Sequence, residues 1–181
     1  MLYNQFKRIK LVPFAALALT LFASKGFAIT PQKSKHTSSD TTKNGNFYFL
    51  LKSETGKTIN VAQQKGKILF LNFWALSCIP CKAEMPSINE LSLRFGNDTN
   101  VLIMPIDLDQ DMVKSPRYMT EKGYRLTVYY AASQVPEAFF HGAIPTTVVI
   151  DKHGRIALFH EGQDDYGMKK FIDYIDELRK Q

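Results

Sequence analysis

The run Ile68-Leu69-Phe70-Leu71-Asn72-Phe73-Trp74 is apolar at every position but Asn72. A near-continuous β-prone run of this kind suits a strand covered on both faces, which places it in the middle of a layered α/β structure. Three residues later come Cys78-Ile79-Pro80-Cys81, the only cysteines in the chain. A helical pattern follows at once, from about Pro80 to Phe95, with Met85, Ile88, Leu91 and Phe95 at helical spacing. Buried strand, paired thiols and helix thus occupy one short stretch. Two thiols at that spacing at a helix start can cycle between dithiol and disulfide.

Strand and helix signals alternate on either side. Phe47–Leu51 reads as a short strand, Val101–Asp107 as another, residues 110–122 as a polar helix and Leu126–Tyr130 as a short strand. Gln134–Phe140 reads as a helical turn. Thr146–Asp151 and Ile156–His160 read as two strands joined at Lys152-His153-Gly154, a tight hairpin signal. Met168, Phe171, Ile172, Ile175 and Leu178 mark a closing amphipathic helix over Tyr166–Arg179. This order predicts an α/β domain over 47–181, with a central mixed sheet and helices on both faces. The cysteine pair then lies at the carboxyl end of a central strand, where open α/β sheets place their sites.

The start of the chain differs in kind. Lys7, Arg8 and Lys10 precede an apolar stretch from Leu11 to Ala23, and Gly26-Phe27-Ala28 closes it with small residues. This is the pattern of a secretory signal peptide over 1–28, with cleavage after Ala28. The apolar run is shorter than the ~18–20 residues of a membrane span. No stable membrane insertion is expected after cleavage. Residues 29–46, rich in Thr, Ser, Lys and Asn, read as a flexible tether. The signal holds four of the 23 basic residues and no acid, leaving 19 basic against 17 acidic residues. That balance gives no reason to expect nucleic acid or an anionic membrane surface as a partner.

Export would place the pair in an oxidising compartment such as a periplasm. As a structural staple, a disulfide closing so small a loop yields only ~2 kcal/mol in the chain-entropy model. Structural zinc needs four ligands, there is no second cysteine pair, and His36, His141, His153 and His160 have no ligand-like spacing to this one, so neither metal nor cofactor is expected. Cys78, at the helix amino terminus, is the expected nucleophile, and Cys81, one turn further in, the resolving thiol. Ile79-Pro80 supplies no charge or side-chain donor to a Cys78 thiolate, which leans the pair toward a reductant. Glu84 admits two readings: a proton acceptor and donor for the thiols, or a first-turn acid complementing the helix dipole. Pro86 should kink the helix.

Phe73-Trp74, Cys78-Ile79-Pro80-Cys81, Glu84 and Pro86, with Ile144-Pro145-Thr146 about 65 residues after the pair, together resemble the thioredoxin-like fold. More narrowly, Cys81-Lys82-Ala83-Glu84-Met85-Pro86 resembles the TlpA/ResA-like branch of exported thiol–disulfide oxidoreductases. The resemblance implies a three-layer sandwich with an insertion after the first βαβ unit, which residues 110–130 could supply. It implies that Glu84 is an acid/base, that Pro145 is cis and packs against the pair, that the Ile144 backbone pairs with an extended substrate segment, and that Trp74 flanks the site. It also implies a disulfide-bearing protein substrate, with apocytochrome c as one class, and a membrane-embedded thiol-electron transporter as donor. Asn72 stands where cytoplasmic thioredoxins carry a buried Asp, so Glu84 must substitute. Ser77 stands where many relatives have Trp, which leaves the substrate open.

Three other readings compete. A peroxiredoxin-like peroxidase needs threonine where this chain has Ala75. A Sco-like copper-delivery protein needs a wider cysteine spacing and a positioned histidine, for which His141 is the nearby candidate. An oxidant or isomerase of the same fold differs in reduction potential alone.

Overall fold

A computed structural model describes residues 47–181. The signal peptide and tether expected over 1–28 and 29–46 lie outside the described residues. The elements run β1 (Leu50–Ser53), β2 (Thr58–Asn60), β3 (Ile68–Trp74), α1 (Ile79–Phe95), β4 (Val101–Asp107), α2 (Lys114–Glu121), β5 (Tyr129–Ala131), β6 (Thr146–Ile150), β7 (Ile156–Glu161) and α3 (Lys169–Lys180). Val61–Gln63 and Glu137–Phe139 form single 3-10 turns.

One mixed sheet holds all seven strands in the order β2-β1-β5-β4-β3-β6-β7. β3 lies between β4, parallel with Ile68 opposite Val101, and β6, antiparallel with Asn72 opposite Thr147. Every residue of β3 is buried, as its composition requires. Successive side chains alternate between the faces. Ile68, Phe70 and Trp74 enter one core with Met85, Ile88, Leu91 and Phe95 of α1 and Ile175 and Leu178 of α3. Leu69, Leu71 and Phe73 enter the other, with Phe47, Phe49, Leu51 and Phe139.

Three layers result, but the outer two are unequal. The apolar faces of all three α-helices, Met119 of α2 included, join the first core. The second is roofed by the Phe47–Phe49 lead-in and the two 3-10 turns. The segment between β5 and β6 carries Pro136, Gly142 and Pro145, which confine its helical part to the Glu137–Phe139 turn.

Element edges move for local hydrogen-bonding reasons. Phe47 and Phe49 bury their rings, while pairing with β2 starts only at Leu50. Thr58–Asn60 pairs as an unforeseen strand across the Gly56 turn. Leu126–Val128 stays off the ladder because the Glu54 and Val128 backbones bond each other. α2 begins at Lys114 because the Asp111 carboxylate accepts the Val113 and Lys114 N–H groups. α3 begins after Tyr166, whose N–H is taken by Ser87 Oγ at 3.1 Å.

Candidate redox site

Cys78 is the N-cap of α1, in extended conformation, and its Sγ accepts the Cys81 N–H at 3.2 Å. One of the N–H groups of the helix start is therefore aimed at this sulfur. Pro80 sits in the first turn, where its missing N–H costs nothing. The sulfurs of Cys78 and Cys81 are joined as a disulfide, with Cα atoms 5.3 Å apart. Cys78 is half-buried, Cys81 is fully enclosed, and Ile79 between them is 76% exposed. A partner can reach only the first sulfur, which suits nucleophile and resolving thiol in that order.

Glu84 follows Cys81 by three residues on the same face of α1. That face is the apolar stripe, and Glu84 is 1% exposed within it. Asn72 Nδ2–H donates to Glu84 Oε1 at 2.7 Å, and the Asp164 backbone N–H donates to Oε2 at 3.3 Å. Burial pushes the carboxyl up from its ordinary 4.5 to about 7; the two donors oppose the rise, and the Asp164 carboxylate adds to it. A first-turn acid complementing the dipole would be solvated and ionised. This one is enclosed and poised to hold or release a proton near neutrality.

A hydroxyl chain extends the cluster. Asn72 Nδ2–H also donates to Thr147 Oγ1 at 3.0 Å, and Tyr166 O–H donates to the same oxygen at 2.7 Å. Ser87 Oγ donates to the Glu84 carbonyl and accepts the Tyr166 N–H. Burial pushes the Tyr166 phenol up, so it stays a donor. The Asn72 amide does more than leave an Asp position empty, because it donates to the buried Glu84 carboxyl. Its place was readable as the lone polar residue of β3, on the same face as Phe70 and Trp74. Thr147, Asp164 and Tyr166 carried no comparable signal, since strand pairing and a loop bring them in.

The Ile144–Pro145 peptide is cis, and Pro145 is buried. The Pro145 carbonyl accepts the Gly162 N–H at 2.8 Å, while Thr146 Oγ1 donates to the Ala143 carbonyl at 2.7 Å. The Ile144 backbone makes no hydrogen bond within the described residues, leaving an N–H and a carbonyl for an extended segment. Trp74 lies elsewhere than expected: it is 0% exposed, its ring 5.9 Å from that of Tyr118. It floors the site and offers no surface to a substrate, because it continues the buried face of β3. His141, which a copper-carrying site would call on, stacks 4.7 Å from the Phe159 ring and faces Glu161 at 3.6 Å.

The loop leading to Cys78 is braced from β4. Asp107 is fully buried and accepts from Ser115 Oγ at 2.7 Å and from the Asp109 and Asp111 N–H groups; burial pushes its carboxyl up. Asp109, positioned by that turn, accepts the Leu76 N–H at 3.0 Å, two residues before Cys78.

Residues 46–159 match the AhpC/TSA family. Among curated proteins, the thiol–disulfide oxidoreductase ResA of Bacillus thuringiensis strain Al Hakam is 32% identical over 109 residues, 60% of this chain. The chain spans 62% of that relative's length. ResA of Geobacillus thermodenitrificans is 29% identical over 149 residues, 82% of this chain and 80% of the relative. The solution structure of a candidate thioredoxin from Neisseria meningitidis is 30% identical at a TM-score of 0.61, covering 76% of this chain and 91% of that one. StoA from Bacillus subtilis, 20% identical at a TM-score of 0.57 over 74% of this chain and 96% of its own, shares the fold.

Proposed function

The chain belongs to the AhpC/TSA family, and on that premise we propose that it is a thiol–disulfide oxidoreductase that reduces protein disulfides outside the cytoplasm. One observation carries the reading: a half-buried sulfur at a helix amino terminus is bonded to an enclosed one, beside a buried carboxyl held near 7. The ResA relatives and the match over most of the described domain support the same activity.

The cycle uses this chain's residues alone. In the dithiol form, the Cys78 thiolate attacks one sulfur of a substrate disulfide. That S–S bond breaks, and the other substrate sulfur leaves as thiolate. Cys81 then gives its proton to Glu84 and attacks Cys78, releasing the second substrate sulfur as thiolate and closing the Cys78–Cys81 disulfide. Two electrons pass to the substrate, and a donor dithiol must return them. Glu84 releases its proton to a substrate thiolate or to solvent. The Ile144 backbone pairs with the substrate segment by strand addition, and Pro145 sets that edge against the sulfurs.

The apolar start and small-residue cleavage pattern of residues 1–28 support export to a periplasm, and no helix among the described residues is long and apolar enough to cross a membrane. The uncharged Ile79-Pro80 pair supports the reducing direction. A membrane-embedded thiol transporter then serves as donor, and apocytochrome c cysteines are a fitting substrate. The reduction potential tests the direction: a value near about −270 mV or below fits a reductant, and one near about −120 mV an oxidant. Replacing Cys81 with Ala tests the substrate, because mixed disulfides on Cys78 then persist. Recovery of apocytochrome c supports that role, and recovery only of unrelated envelope proteins removes it. Tight stoichiometric copper binding by the reduced protein would favour the Sco-like reading instead.

A further inference from the structure

Glu84 and the docking edge are held by one short segment. Gly162, at φ 103°, donates its N–H to the Pro145 carbonyl at 2.8 Å. Two residues on, the Asp164 N–H reaches Glu84 Oε2 at 3.3 Å. Tyr166 closes the segment onto Ser87 Oγ, itself bonded to the Glu84 carbonyl. Residues 161–166 thus form a strap between the backbone where a substrate would pair and the carboxyl that would move its proton.

The Asp164 side chain is oriented within this strap. Its Oδ1 accepts the Asp165 N–H at 2.8 Å, and its Oδ2 lies 4.0 Å from His160 Nε2. That His160 nitrogen is buried without a hydrogen-bond partner. His160 pairs with Thr147 across β6 and β7, so it stands at the outer side of the Asn72–Thr147 row. The groups around Glu84 are few. β3 presents the neutral Asn72, the strap presents Asp164, and Tyr166 stands behind Thr147. α1 itself carries Cys81 one turn back, while Lys82, two residues before Glu84, points round to another face. Asp164 is the carboxylate whose charge bears on Glu84, and His160 Nε2 lies 4.0 Å from it outside the strap.

Resting on the reading of Glu84 as the acid/base, we infer that Asp164 is its positioning residue. The backbone N–H of Asp164 fixes one carboxyl oxygen, and its side-chain charge adds to the effect of burial in making that carboxyl hold its proton. The strap joins this control to the docking edge at Pro145. The two effects of Asp164 on Glu84 run in opposite directions: its N–H favours the ionised carboxylate, and its charge, the smaller of the two, disfavours it. A strand pairing at Ile144 would bear on the strap through the Pro145–Gly162 bond, and so on Glu84.

The test follows the Glu84 carboxyl carbon by NMR across pH in the full-length oxidised protein. Asp164→Asn keeps the N–H and removes the charge, so the Glu84 midpoint should fall by about a few tenths of a pH unit. Asp164→Glu should restore it, and Asp165→Asn, which removes a charge one residue away, should leave it in place. An unchanged midpoint in Asp164→Asn, or an equal fall in Asp165→Asn, overturns the inference. The readout needs no turnover. An inactive protein showing the expected shift would refute the oxidoreductase reading alone, and an active protein without it would refute the strap alone.

Discussion

Replacing Glu84 with Gln should reshape the pH dependence of stability. The carboxyl sits at 4.5 in an unfolded chain and at about 7 in the folded one. The folded state therefore prefers the protonated form. Its stability from this group is fully present below pH 4.5, falls as pH rises through the interval, and levels off above 7. The span corresponds to about 3 kcal/mol. Glutamine is close in shape and uncharged at every pH; its single oxygen can accept from Asn72 or from the Asp164 N–H but not both, and the donor left unpaired is a cost that does not vary with pH. The stability difference, Gln variant minus parent, should thus rise by about 3 kcal/mol between pH 4 and pH 8. Urea denaturation of both oxidised proteins at half-unit pH steps measures it, with the slope checked for constancy. A difference flat to within ~0.5 kcal/mol over that range would refute the buried, proton-holding carboxyl, and with it the chemical role of Glu84.

The same variant should slow release of substrate from the mixed disulfide by about 10²-fold, the usual scale of proton-transfer catalysis, and abolish the rate inflection near pH 7; stopped-flow kinetics would show both. Asn72→Leu removes a donor that favours the carboxylate, so the Glu84 midpoint should rise, with a loss of about 1–3 kcal/mol for the unpaired buried groups. Ser115→Ala strips one donor from the buried Asp107 and should cost about 1.5–3 kcal/mol, read by denaturant unfolding. If the Asp107–Asp109–Leu76 brace positions the nucleophile, Cys78 alkylation in the reduced Ser115→Ala protein should also change in rate; an unchanged rate would confine the effect to stability.

Much of the fold was legible because it rests on periodicity. The bounds of β3 and β4 match expectation to the residue, since strands in the middle of the sheet need near-continuous apolar runs, here broken only by Asn72 and by Asp107 at the end of β4. α1 begins within one residue of expectation, where Cys78 caps it and Pro80 fills the first turn. Elements whose ends depend on distant partners shifted. β5 starts three residues late because Glu54 captures Val128, and α2 starts late because Asp107 and Asp111 take up the N–H groups before it. The thin second outer layer was also beyond reach: a helical pattern shows a buried face without showing which side of the sheet receives it.

For the site, one sequence alone determined the paired thiols, their order along a helix start, and an acid one turn beyond. These are consequences of short-range spacing, which local geometry translates directly into position. Tertiary structure decided the rest. Glu84 becomes an enclosed acid near 7 only because β3 brings Asn72 against α1 and the strap after β7 closes over it with Asp164. Trp74 passes from the rim to the floor because β3 is covered on that face. Desolvation and charge act across space between segments up to 80 residues apart, and no reading of spacing along the chain contains those distances.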